Sequence, residues 1–103
     1  MILNIRSILI IFVVTFSDFA LADVSCGIAQ INQILVYNDK IVVLHGNTYR
    51  GLGFTSTAKN QDKKLSVVLT AKASGAQVEM RYPDDYDCAT HNYGRDPTMV
   101  ILN

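Results

Sequence analysis

Two cysteines, two histidines, a short acidic run and five tyrosines are the residues of this 103-residue chain whose chemistry could define a function. Cys26 and Cys88 stand far apart. In an oxidising compartment such a pair is most simply a disulfide, because redox and metal-binding pairs favour close C-x-x-C spacing. His45 and His91 fall in separate turn-like segments. A catalytic zinc would need further ligands that the sequence does not place beside them, so both are expected to be exposed turn histidines. Asp84, Asp85 and Asp87 offer carboxylates at calcium-like spacing, but the glycine and distal glutamate of an EF-hand loop are missing, and solvated turn acids are the expectation. Ser25, Ser56, Ser66 and Ser74 lack a nucleophile-elbow context, and Glu79 is the only glutamate. No catalytic residue, metal or cofactor is assigned, and the chain is read as non-enzymatic.

The remaining candidates are aromatic. Tyr37, Tyr49, Tyr82, Tyr86 and Tyr93 stand among many Asn, Gln, Thr and Ser residues, without tryptophan. A tyrosine adds apolar area and a hydroxyl at low entropic cost, which suits shallow recognition of sugars or proteins. Tyr37 and Tyr82 are expected in the core. Tyr49 with Arg50, and Tyr86 and Tyr93 near Cys88, are the candidate ligand-binding residues.

Something must position them. Ile28–Tyr37 and Ile41–Leu44 read as a β-hairpin joined by two or three residues, and Thr48–Thr55 as a third strand bent at Gly51 and Gly53. From Asp62 to Ser74, Leu65, Val68, Leu69, Lys72 and Ala73 recur at three and four residues. The spacing predicts a helix, with Asn60 or Asp62 as N-cap and Gly75 ending it. Ala76–Tyr82 alternates strictly, with Val78, Met80 and Tyr82 on one face. A polar loop, Pro83–Pro97, carries Cys88 and leads to a last apolar strand, Thr98–Leu102. Three strands, a helix and two strands in so short a chain fit an α+β fold, a small, twisted, partly closed five-stranded β-barrel with one α-helix covering an open end or one face.

Residues 1–22 read as an export signal. Arg6 precedes the apolar run Ile8–Phe16, and Ala20 and Ala22 give a small-x-small cleavage pattern. The run is about half the length of a bilayer-spanning helix. Cleavage at Ala22 leaves a single domain, 23–103, secreted or periplasmic and without a membrane anchor. It carries eight charges of each sign, so no global field favours nucleic acid.

The stretch Leu65–Tyr82, LSVVLTAKASGAQVEMRY, followed by Cys88, resembles the late part of the binding (B) subunits of subtilase-cytotoxin-like and pertussis-like bacterial toxins. There a helix of the form "L…L..A..SG" runs into an alternating strand near a disulfide. The likeness covers about a quarter of the mature chain. It implies an OB-fold subunit, a homo-pentamer, a glycan ligand and a separate enzymatic A subunit. A different reading is a periplasmic inhibitor, similar to those that plug a lysozyme cleft, for which Arg95 is the residue to reach catalytic carboxylates; an envelope accessory role belongs with it.

Overall fold

The computed structural model describes residues 23–103; the expected leader, 1–22, lies outside the described residues. Five strands and one helix follow in the order β1 (Asp23–Val36), β2 (Lys40–His45), β3 (Thr48–Phe54), α1 (Gln61–Ser74), β4 (Gln77–Pro83) and β5 (Met99–Leu102). They form one antiparallel sheet ordered β3-β2-β1-β4-β5. Among the described residues no ladder joins β3 to β5.

β1 begins five residues earlier than its apolar run suggests, and this extension holds Cys26. Its first part, Asp23 to Gln30, pairs with β4, and its second part, Ile31 to Val36, pairs with β2. The register slips between Ser25 and Ile28 and again between Ile31 and Gln33. Gly27, at φ 90°, sits in the first slip, where an ordinary side chain would be strained. Such irregularities bend and twist a strand. One long strand thereby serves two differently directed halves of the sheet.

The core is the concave side of this curl. Ile31, Ile41, Val43, Leu52, Val78, Met80 and Tyr82 line it, with Tyr86 added from the loop. β4 follows its alternation: Val78, Met80 and Tyr82 are fully buried between outward Glu79 and Arg81. The helix closes one side through Val68 and Ala71, with Leu65 partly buried. Its buried stripe advances by threes, which corrects the sequence pattern: Leu69 is half exposed and Ala73 is exposed. Asn60 occupies the N-cap position in a left-handed conformation, with no capping bond from its side chain. Gln61 instead anchors that end, donating from Nε2 to the carbonyls of Leu52 and Gly53. At the other end Gly75 turns left-handed, and Gly75 and Ala76 N–H both donate to the Ala71 carbonyl. Tyr37 departs from expectation: it lies exposed in the β1–β2 turn, with the Lys40 ammonium 4.6 Å over its ring. A ring at that turn reaches a cation rather than the core.

Cys26 and Cys88 are disulfide-bonded, with Cα atoms 5.3 Å apart across 62 residues of sequence. The bond ties the polar loop to the start of β1. Its reduction is expected to lower the unfolding free energy by about 4 kcal/mol, read as a shift of the urea midpoint. An unchanged midpoint after complete reduction would contradict this role.

Candidate functional site

The free edge of β3 is where the sequence's candidate residues meet. An uncovered strand edge leaves N–H and C=O groups without partners, and here the cysteine loop supplies them. Tyr49 N–H donates to His91 Nδ1 (3.0 Å), and Asn92 N–H donates to the Tyr49 carbonyl (2.9 Å). Gly51 N–H and Arg95 N–H both donate to Asn92 Oδ1, at 2.9 and 3.0 Å. The approach is close enough to require glycine, since a Cβ on Gly51 would lie 2.7 Å from the Arg95 carbonyl.

Beneath this seam lies a polar network in the core. Arg50 and His45 are only 5% and 3% exposed. Arg50 donates from Nε to His45 Nδ1 (3.1 Å) and from Nη1 to the Cys88 carbonyl (2.9 Å), with the Tyr86 hydroxyl 3.5 Å away. Asn92 Nδ2 donates to the same hydroxyl. No carboxylate pairs with Arg50 among the described residues. His45 Nε2 lies 2.7 Å from the Val78 carbonyl. A carbonyl can only accept and Arg50 Nε can only donate, so His45 is the neutral imidazole protonated at Nε2. Burial holds its pKa below the ordinary 6.5, the Arg50 charge adds to that, and the Val78 bond opposes it. Tyr82 completes the network, donating its hydroxyl to the Gly51 carbonyl (2.6 Å) and stacking on Tyr86 with centroids 4.2 Å apart. Burial pushes that hydroxyl far above the usual tyrosine range, so it stays a donor.

These positions correct two expectations. His45 is an interior hydrogen-bonding residue rather than an exposed turn histidine. It ends β2, and as the strand alternates it shares a side with Ile41 and Val43. Arg50 and Tyr86 are buried, so neither offers its side chain to a ligand in this fold. Arg50 alternates with Leu52 on the inner face, a signal that the sequence carried but the neighbouring glycines masked.

Tyr49 and Tyr93 remain outside and lie together. Their rings stack with centroids 5.8 Å apart, and the His91 ring tilts against Tyr49 at 5.7 Å. Tyr49 also donates its hydroxyl to Gln33 Oε1 (3.2 Å). Gln33 and Asn92 have no signature in the sequence, since single amides in polar segments carry no spacing signal. The result is an aromatic surface edged by an amide and an imidazole, held by β3 on one side and the loop on the other.

The other candidates are engaged elsewhere. Arg95 pairs with Asp85 (2.9 Å) and lies 5.5 Å from the Tyr86 ring centroid. Asp87 accepts the Ala89 N–H. No group of three or more His, Cys, Asp or Glu residues is arranged to hold a metal among the described residues. Hydrogen bonds from Ser25, and then Arg81, hold the Glu79 carboxyl below its ordinary range. An open cavity of about 550 Å³ lies between the start of α1 and the loop's end. Lys59, Lys64 and Arg95 line it; the Lys64 ammonium pairs with Asp96, which also accepts the Lys59 backbone N–H, and Arg95 pairs with Asp85.

The seam makes a direct prediction. Asn92→Ala removes one acceptor from two amides and a donor from Tyr86, and is expected to cost about 2–4 kcal/mol. Gly51→Ala forces overpacking worth about 1–3 kcal/mol. Leu69→Ala, on the exposed helix face, is expected to stay within about 0.5 kcal/mol. Denaturant titration measures all three; an Asn92→Ala protein as stable as Leu69→Ala would remove the seam's structural role. No protein-family model matches this chain, and neither a curated protein nor a solved structure does, so its functional reading rests on its own residues and their arrangement.

Proposed function

We propose that the chain is an exported, non-enzymatic recognition module whose Tyr49–Tyr93 surface binds glycans. The single observation that carries this reading is the stacked pair of exposed Tyr93 and half-buried Tyr49, flanked by Gln33 and His91. Sugar faces present C–H groups that pack on aromatic rings, while amides and ring nitrogens orient their hydroxyls. Tyr49 and Tyr93 carry the contact. Arg50 and Tyr86 support it from below.

In this reading the fold is an OB-like, partly closed barrel similar to toxin B subunits. Supporting it, the strand order would return to β3 if β5 met it, and a helix links β3 to β4 as in OB folds. Side chains already cross the interior: Tyr82 of β4 reaches the Gly51 carbonyl of β3. The cysteine loop takes the place of a direct β3–β5 ladder. Self-association into a ring, with a separate enzymatic subunit as partner, belongs to the same proposal. β5 is an edge strand that exposes Met99 and Leu102, which favours a neighbouring copy. A ring would raise weak single-site affinity by multivalency.

The test is a broad glycan array, sialylated and neutral, probed with oxidised 23–103. Retention is expected, and Tyr93→Ala should weaken it about tenfold, the equivalent of about 1.4 kcal/mol, with unchanged thermal stability. Absence of any glycan signal together with inhibition of a lysozyme would transfer the proposal to the inhibitor class.

A further inference from the structure

Both histidines of the chain act on one seam, and they do so through the same atom. His91 Nδ1 accepts the N–H of Tyr49, and His45 Nδ1 accepts the Nε–H of the next residue, Arg50. One lies outside β3 and the other inside it. Neither donor can reverse, because a backbone amide and a guanidinium Nε only donate. A proton added to either Nδ1 therefore turns an acceptor into a donor facing a donor. We propose that this pair of histidines is an acid-operated latch, which holds the cysteine loop against β3 when neutral and releases it when protonated.

The release is directional. Protonated His45 keeps its Nε2–H bond to the Val78 carbonyl, so the attachment to β4 is unharmed. The repulsion falls on Arg50, where a second cation would stand 3.1 Å from a buried first one. Arg50 is what grips the loop, through the Cys88 carbonyl and the Tyr86 hydroxyl. His45 has no carboxylate partner among the described residues. Besides Arg50 of β3 it faces the Val78 carbonyl of β4 and, from β1, its cross-strand partner Ile31, and no carboxylate bonds to His45 or Arg50 among the described residues. Of the loop's four carboxylates, Asp85 is directed to Arg95, Asp96 to Lys64 and Asp87 to Ala89 N–H, and Asp84 is exposed. The sign agrees with the depressed His45 pKa. A group that is harder to protonate when the seam is closed contributes stability that is complete above the ordinary pKa of 6.5 and is lost as pH falls below it toward the lowered value. The Cys26–Cys88 bond keeps the freed loop tethered, so opening is local and reversible. This device is independent of what the tyrosine surface binds.

Amide hydrogen exchange in the oxidised protein, corrected for intrinsic rates, tests it between about pH 7.5 and pH 5, above ordinary carboxylate titration. The amides of Tyr49, Gly51, Asn92 and Arg95 report the seam, and those of the β1–β4 ladder report the rest. Seam protection is expected to fall at least about tenfold more than ladder protection, one pKa unit's worth. The double variant His45→Gln, His91→Asn, whose amides remain acceptors at both pH values, is expected to abolish the difference. Unchanged seam protection, an equal loss across the ladder, or a loss that survives in the double variant overturns the latch. If the double variant does not fold, the seam's midpoint in the wild type must coincide with an imidazole titration followed by NMR, and a midpoint elsewhere overturns it as well.

Discussion

Arg50 puts a permanent charge into the interior of a small fold, and no carboxylate among the described residues pairs with it. A buried guanidinium is tolerable only if its N–H groups are met, and here the acceptors are neutral: an imidazole nitrogen, a peptide carbonyl and a phenol. Two of the three belong to the cysteine loop. The loop's length therefore has a structural reason. It must travel from the end of β4 past Cys88 and back along β3 to bring Tyr86, Cys88 and Asn92 to one place. The disulfide acts at the same point, because it fixes the residue whose carbonyl Arg50 grips.

Much of this architecture could be read along the chain wherever a pattern was local. The alternation of Val78, Met80 and Tyr82, the stop at Gly75 and the pairing of the two cysteines all depend on near neighbours or on compartment chemistry, and each agrees with the fold. Leu69 looked buried because helical spacing defines a stripe without saying how wide a face the sheet can cover. Tyr37 looked buried because an aromatic ring after a β-branched run normally continues inward, whereas here the chain had already turned.

The interior network was hidden for a different reason. Charged residues are expected outside unless partnered, and the partners of Arg50 lie 36 and 38 residues away in a loop without periodicity. His45 beside Gly46 read as part of a turn, although strand parity places it with Ile41 and Val43. The outer surface depends on the same distant pairing. Tyr49 meets Tyr93 and His91 only because Asn92 docks on β3. The outer tyrosine surface and the buried polar network are thus two faces of one seam.

The seam depends above all on the protonation geometry of His45. Long-range nitrogen–proton NMR of the imidazole at neutral pH, with observation of a scalar coupling from Arg50 Nε–H across the hydrogen bond, reads it directly. The predicted spectrum has Nε2 protonated, Nδ1 bare and the coupling from Arg50 Nε–H on Nδ1. An imidazole protonated at Nδ1, or doubly protonated at neutral pH, would mean that Arg50 is held in some other way and that the seam is not organised as described.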